Sequence, residues 1–313
     1  VRKKLKTIFM GTPEFAVPCL EALDKNGYDV TLVITQPDRP KGRNRKVTPP
    51  PVKTAALRLG YEVIQPLSIA TNDLIAYIAG LKADIFIVVA FGHILPKSLL
   101  ELPRLGAINL HASLLPKYRG PAPIQWAIIN GEIETGVTAI LMDEGLDTGD
   151  ILRFEKVEIT PEDTSAILHD RLSELSAILL IRTLKDLEAG DLKSVPQDHT
   201  QATYAPLLKK IDGRVDWTMP AEKLEAFIRG MTPWPGAFTF HENKRLKIFK
   251  AVPALTRGEE PPGTVIQGFS GELRIATGKG ALSVLEIQGE SGKRLLIKDF
   301  LRGYELSPGT VFS

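Results

Sequence analysis

The chain of 313 residues has one cysteine, Cys19, so no disulfide can form within it, and a reducing compartment is the expectation. Cys19 stands beside Leu20 and Leu23 in an apolar helical stretch, the setting of a buried structural thiol. Long apolar runs are missing too. The basic start, Val1-Arg-Lys-Lys-Leu-Lys6, leads into an apolar segment of a few residues that stops at Gly11-Thr12-Pro13. That is too short for a signal peptide or a membrane span, so a cytoplasmic protein without membrane association is expected. There is no excess of charge of one sign: the formal net charge is +2, which selects no partner. The imbalance is local. From Lys209 onward there are 16 Lys and Arg against 12 Asp and Glu, a mildly basic segment that favours an anionic partner only weakly. Glycine is scarce where a dinucleotide fold needs it. Only Gly11 follows the first strand, with Pro13 in the third position, which argues against a nicotinamide dinucleotide and leaves a tight turn or a substrate-facing one.

What is present suggests two domains. The chain is 43% hydrophobic, enough to bury a sizeable core. The first part alternates short apolar runs with helical patterns. Strands are expected at Leu5–Met10, Asp29–Thr35, Asp84–Ala90, Gly106–His111 and Val137–Met142, with helices at Val17–Lys25, Pro51–Leu59, Asn72–Leu81 and Ile124–Asn130. Ile85–Ala90 and Ile8–Met10 are apolar without alternation, as in strands covered on both faces. The pattern is that of a doubly wound α/β domain with a mainly parallel sheet. Asp163 to Glu188 reads as one long amphipathic helix. A polar stretch at 196–211 reads as a linker, dividing a domain at 1–195 from one at 212–313. The latter opens with a short helix at Leu224–Arg229. Short β-rich runs follow at Leu246–Lys250, Thr264–Gln267, Leu273–Ala276 and Leu282–Ile287, a spacing that suggests a small β-barrel.

The chemistry concentrates between residues 109 and 149. Asn109 and His111 stand two apart on one expected strand and project to the same side. Polar side chains in an otherwise apolar strand need hydrogen-bond partners if buried, and Asp147, in the Gly-rich acidic loop Asp143–Asp150, can supply one. A carboxylate beside an imidazole favours its protonated form and fixes its tautomer. An amide to hold an oxyanion, an imidazole to handle a proton and a carboxylate to orient it suit acyl transfer without a covalent enzyme intermediate. Both ends of this stretch look like C-terminal ends of buried strands, where ligands sit in open α/β sheets. A metal is not expected: His111 is the only nearby histidine, and the loop fits no common calcium or zinc spacing. Two further segments stand out. Asp38 to Lys46 holds five cations, Arg39, Lys41, Arg43, Arg45 and Lys46, with Pro40 and Gly42. It reads as a solvated loop or as a clamp on a phosphate-rich substrate, and not as a helix or central strand. The segment Ala90–Leu95, with His93, ends a strand and can offer main-chain groups to a planar heterocycle.

These residues resemble the folate-dependent formyltransferase family. The likeness rests on Asn109-x-His111, Ser113-Leu-Leu-Pro116, Tyr118-Arg-Gly120, Pro123-Ile124 and Leu146-Asp-Thr-Gly149. The opening Phe9–Phe15, the loop Thr35–Arg43, Asp216-Trp217 and Pro233-Trp-Pro235 are similar to those of family members acting on aminoacylated tRNA. Ala112, where a glycine is common, and Lys117-Tyr118 depart from the pattern without touching the chemistry. The resemblance implies a Rossmann-like formyltransferase domain followed by an OB-like barrel. It also implies transfer of a formyl group from 10-formyltetrahydrofolate to the amine of methionyl initiator tRNA, releasing tetrahydrofolate, by a monomer. It gives the catalytic roles to Asn109, His111 and Asp147. The folate pocket is expected from Ser113, Leu114, Leu115 and Pro116 with Phe91, Gly92, Ile94, Leu95 and Asp143. The tRNA contacts are expected from Arg39, Lys41, Arg43, Arg45 and Lys46, with Arg43 foremost, and from Lys209, Lys210, Arg245 and Lys247. Rival readings are a 10-formyltetrahydrofolate hydrolase, a nucleotide-sugar formyltransferase and a non-catalytic RNA-binding protein. The basic loop speaks against the sugar enzyme, which has no acceptor stem to grip.

Overall fold

The computed structural model describes residues 4–41, 46–255, 260–266, 271–290 and 292–313. The described chain forms two compact units. The first comprises residues up to Pro123, Glu134–Glu158 and His169–Pro206; the second comprises Ile124–Ile133, Ile159–Leu168 and Leu207–Ser313.

In the first unit the elements are β1 (Lys6–Gly11), α1 (Val17–Lys25), β2 (Asp29–Ile34), β3 (Arg39–Lys41), β4 (Lys46–Thr48), α2 (Pro51–Arg58), β5 (Val63–Ile64), α3 (Asn72–Leu81), β6 (Ile85–Val89), α4 (Lys97–Leu100) and β7 (Ala107–His111). After α5 (Pro123–Ile129), which apart from Pro123 belongs to the second unit, come β8 (Glu134–Leu141), β9 (Ile151–Glu158) and α6 (Ser165–Ala189), of which the residues up to Leu168 belong to the second unit. Among the described residues the main sheet has seven strands in the order β5-β2-β1-β6-β7-β8-β9. Its first five run parallel, and β8 and β9 are antiparallel additions. The mainly parallel, doubly wound sheet is therefore as the apolar runs predict. The fully buried β6, Ile85-Phe-Ile-Val-Val89, lies at its centre because only side chains without polar atoms suit a strand covered on both faces. On one face Ile8, Met10, Leu32, Ile34, Phe86 and Val88 pack with Ile78 of α3 and Leu99 of α4. The order turns back at β1, which lies between β2 and β6, and the loops after the parallel strands gather at their C-terminal ends, the usual position for a ligand.

Cys19, inside α1, has no exposed surface. Burial raises its thiol well above the ordinary value of 9.0, with a smaller push from Glu174. Native protein is expected to leave a thiol reagent unconsumed at pH 8, and denatured protein to consume one equivalent; rapid native reaction would contradict this burial.

The second unit holds α7 (Ala221–Met231), β10 (Ala237–His241), β11 (Lys244–Ala254), β12 (Val265–Ile266), β13 (Leu273–Ala276), β14 (Ala281–Gln288), β15 (Leu295–Leu296) and α8 (Ile297–Phe300). The strands form an antiparallel half-barrel in the order β10-β11-β14-β13-β12, with β15 beside β14. Leu224, Ile228 and Met231 of α7 are buried, and the helix packs on β11. Trp217 is buried, donates from Nε1 to Thr239 Oγ1 at 3.0 Å and stacks with Phe312. A buried indole needs both an apolar bed and an acceptor. Among the described residues no helix is long and apolar enough to cross a membrane.

Candidate active site

Asn109 and His111, two apart on β7, both reach Asp147. Asn109 Nδ2 donates to Asp147 Oδ1 at 3.3 Å, and His111 Nδ1 lies 3.6 Å from the same oxygen. The second carboxylate oxygen accepts the backbone N–H of Gly120 at 2.8 Å. The side chains of His111 and Asp147 are only 8% and 12% exposed, so their interaction is little weakened by water. His111 Nε2 lies 2.8 Å from the carbonyl of Tyr118. A carbonyl only accepts, so Nε2 carries a hydrogen and Nδ1 is left facing the Asp147 carboxylate. The tautomer is thus set by the Tyr118 carbonyl, where the sequence pointed to the carboxylate.

The route by which Asp147 arrives also differs from expectation. β8 runs antiparallel to β7, with Thr138 opposite His111 and Leu141 opposite Ile108. The end of β8 therefore lies toward the start of β7, and the loop 142–150 folds back to deliver Asp147. Asp143 shapes that loop: its Oδ1 accepts from Gly145 N at 3.0 Å and from Thr148 Oγ1 at 2.6 Å. Asp147 itself has φ +55°, a left-handed backbone that Asp tolerates better than most residues. Gly149 passes so close to β8 that a Cβ there would lie 1.8 Å from the Leu141 carbonyl oxygen.

A strap from the chain after α6 holds this loop from behind. Gln197 Nε2 donates to the carbonyls of Asp147 and Gly149 at 2.8 and 2.7 Å. Its Oε1 accepts from Arg119 Nη2 at 2.6 Å, and Arg119 Nη2 also lies 3.0 Å from His199 Nδ1. Thr203 to Ala205 then run alongside Tyr118–Ala122. Arg119 N donates to Thr203 O, Ala205 N to Arg119 O and Ala122 N to Ala205 O.

The expected folate-binding residues divide by exposure. Ser113 is buried, with its hydroxyl donating to Lys117 O at 2.6 Å. Leu115 is buried, and its N–H donates to Thr138 Oγ1; Leu114 and Pro116 are half-buried. Phe91 and Leu95 point into the core, while Gly92 and Ile94 are exposed. The Phe91 carbonyl accepts from Thr12 Oγ1 and Gln36 Nε2. Gly92 adopts φ +79°, and a Cβ on it would meet Gln36 Nε2 at 2.4 Å. Asp143 is exposed, with its carboxylate engaged inside its own loop.

Of the basic loop, Arg39 and Lys46 are exposed on a two-stranded hairpin of β3 with β4; Lys41 ends β3, and Gly42, Arg43, Asn44 and Arg45 lie outside the described residues. The hairpin has a fixed root. Lys53 Nζ donates to both oxygens of Asp38 at 2.9 and 3.0 Å and to Gln65 Oε1 at 2.6 Å. Gln65 Nε2 donates to Asp38 Oδ1 and to Gln36 O. Hydrogen bonds from Lys53 and Gln65 hold the Asp38 carboxyl below its ordinary value of 3.8. The pairing favours the fold wherever Asp38 is ionised and fades as pH falls through that depressed value, so it is intact across the neutral range.

In the second unit Lys209 and Lys210 are exposed. Arg245 and Lys247 pair with Phe240 and Phe238 across β10 and β11, which puts all four on one face. The Arg245 guanidinium lies 3.6 Å from the Phe238 ring centroid, and Arg214 stands over Phe240. Among the described residues no three His, Cys, Asp or Glu side chains gather as a metal site.

Comparison with known proteins decides what this arrangement belongs to. A formyl transferase model matches residues 3–184, and a formyl transferase C-terminal domain model matches residues 207–305. A methionyl-tRNA formyltransferase of Geotalea uraniireducens is 50% identical over 307 residues, covering 98% of this chain and 97% of that one. This chain belongs to the methionyl-tRNA formyltransferase family. Another member, from Caldanaerobacter subterraneus, is 47% identical over 98% of this chain and 99% of its own. In fold the chain is similar to an N-formyltransferase from Helicobacter canadensis solved with folinic acid and dTDP-3-aminofucose. That likeness has a TM-score of 0.66 at 20% identity and covers 93% of this chain and all of that one.

Membership makes the chain a transferase. The hydrogen bonds of the site also draw attention to two residues that the reading of the sequence left without a role, Gln197 and Arg119. Gln197 sits in a polar stretch without periodicity, where nothing local distinguishes it from a solvated glutamine. The Pro196 before it and the tract Thr203-Tyr-Ala205 after it are too short to announce a packed segment.

Proposed function

We propose that this chain transfers the formyl group of 10-formyltetrahydrofolate to the α-amine of methionyl initiator tRNA for translation initiation. The observation that carries the reading is the meeting of Asn109 and His111 at Asp147 in a nearly dry place at the end of β7. An aminoacyl α-amine titrates near 8 or somewhat lower, so enough is neutral at pH 7 to attack the formyl carbon directly. The new C–N bond creates a tetrahedral oxyanion. Asn109 supplies an amide N–H to that oxygen. His111 Nδ1 takes the proton released by the amine and returns it to the departing folate nitrogen as the old C–N bond breaks. Asp147 holds Asn109 and His111 in register.

For the folate, exposed Gly92 and Ile94 with half-buried Leu114 and Pro116 offer a surface that is apolar in its side chains and polar in its backbone, suited to a planar heterocycle. Buried Phe91, Leu95, Leu115 and Ser113 shape that surface from beneath, and Asp143 sets the adjoining loop. For the tRNA, Arg39, Lys41, Arg43, Arg45 and Lys46 form one cationic group, and Lys209, Lys210, Arg245 and Lys247 another. Cations interleaved with Phe238 and Phe240 suit a phosphate backbone. The reading places the enzyme in the cytoplasm as a monomer.

The test is formyl transfer with methionyl initiator tRNA, methionyl elongator tRNA and water offered as acceptors. Formylation confined to the initiator is expected; folate turnover without formylated tRNA would overturn the proposal in favour of a hydrolase. A narrower result concerns the hairpin root. Lys53→Met is expected to raise KM for tRNA about tenfold, with KM for folate within about twofold, because the basic hairpin loses its anchor while the catalytic trio keeps its contacts. Equal changes in both KM values would contradict a tRNA-specific role for the hairpin.

A further inference from the structure

We infer that Gln197 is a positioning residue for Asp147, and that the reaction depends on the orientation of its side-chain amide. The inference rests on the catalytic role proposed above for Asp147. That carboxylate is presented by a loop that folds back along β7, has a left-handed backbone at Asp147 itself, and has Gly145 and Gly149 on either side. Glycine flanks and an unusual φ leave the loop with little conformational preference of its own. The site nevertheless needs Asp147 positioned to a tolerance of about 0.5 Å relative to both Asn109 and His111.

Gln197 supplies that restraint. One side-chain amide bonds both the carbonyl of Asp147, at 2.8 Å, and that of Gly149, at 2.7 Å, gripping the loop on each side of Thr148. The amide cannot turn over. Its oxygen is held by Arg119 through Nη2 at 2.6 Å and Nε at 3.2 Å, and a flip would face that guanidinium with an NH2 and the two carbonyls with an oxygen. Gln197 and Arg119 are 6% and 3% exposed, so water does not compete for these bonds. The restraint is closed on the far side as well. Arg119 adjoins Gly120, whose N–H bonds Asp147 Oδ2, and Tyr118, whose carbonyl holds His111 Nε2. The Arg119–Gln197 pair thus links the two chain segments that fix the backbone, the carboxylate and the imidazole of the site.

Two variants probe the restraint, Gln197→Glu and Gln197→Leu, each in the wild-type chain and in Asp147→Asn. The glutamate has the same size and keeps an acceptor for Arg119, but replaces the donor that faces two carbonyls; it serves as the folded variant if leucine, which strips Arg119 of its amide acceptor, does not fold. Single-turnover and steady-state rates are measured with both substrates. In the wild-type chain kcat is expected to fall about 10- to 100-fold, with both KM values within about threefold, the size of loss that small misplacements at a site produce. In Asp147→Asn the same changes are expected to cost less than about threefold more, because groups that act as a unit are not additive. Unchanged kcat in Gln197→Glu, or an equal fold-loss in both backgrounds, would overturn the inference alone. An Asp147→Asn enzyme with undiminished kcat would overturn the role of Asp147 itself, and the inference with it.

Discussion

Asn109→Ala is expected to lower kcat for formyl transfer by about 10²–10³, or roughly 2.7–4 kcal/mol of transition-state stabilisation, with KM for tRNA and folate changed by no more than about threefold. In the proposed mechanism the amide meets the oxyanion with its second N–H. One N–H of Nδ2 is spent on Asp147 Oδ1 at 3.3 Å, which leaves the second free to donate to the reacting oxygen. Alanine removes that donor without charging the site, so the loss belongs to the transition state and appears in kcat. Asn109→Asp separates this account from a packing role. It preserves volume but sets a second carboxylate against Asp147, whose side chain is mostly withdrawn from water, and is expected to lose at least as much as alanine. Steady-state kinetics with both substrates varied checks both variants. An Asn109→Asp enzyme retaining more than about a third of wild-type kcat would exclude the oxyanion role.

Asp147→Asn is expected to lower kcat by about 10²–10⁴, the range of a lost acid–base element. The change does more than remove a charge. Both carboxylate oxygens accept: Oδ1 from Asn109 and Oδ2 from the Gly120 N–H at 2.8 Å. Asparagine has one oxygen, so its NH2 must face either the amide of Asn109 or the backbone donor of Gly120. One donor loses its acceptor either way. His111 also loses the counter-charge 3.6 Å from Nδ1, and with it the support for a proton held there during transfer. Because His111 Nε2 remains bonded to the Tyr118 carbonyl, the ring keeps its place, and the defect is expected in kcat with little change in KM for tRNA. A comparable loss in tRNA affinity would mean that the loop 142–150 serves binding more than chemistry.

Much of this protein was legible in its residues. Continuous apolar runs such as Ile85–Val89 mark strands covered on both faces, and the helices Val17–Lys25 and Asn72–Leu81 begin and end where the periodicity places them. Asn109 and His111 declare a site because two polar side chains on one face of an apolar strand need a reason to be there, and a strand's period of two puts them side by side. What stayed hidden has a common physical origin. β9 alternates half-buried and exposed residues at the edge of the sheet, and β10 is interrupted by Thr239 and ends in His241, so neither carries a continuous apolar signal. The basic loop reads as irregular from its prolines, yet a hairpin forms there because Asp38, Lys53 and Gln65, which are up to 27 residues apart, tie its root.

Local sequence determined the kind of chemistry: which side chains are available, on which strand, and that a carboxylate must come to meet them. Tertiary structure alone decided how it comes. The antiparallel turn of β8 sends the loop back along β7, the Tyr118 carbonyl chooses the protonated nitrogen of His111, and Gln197 closes on the Asp147 loop from 50 residues away. Hydrogen bonds between distant segments leave no period in the sequence. Only when the chain has folded, and water has been excluded from those carbonyls and amides, do their partners become fixed.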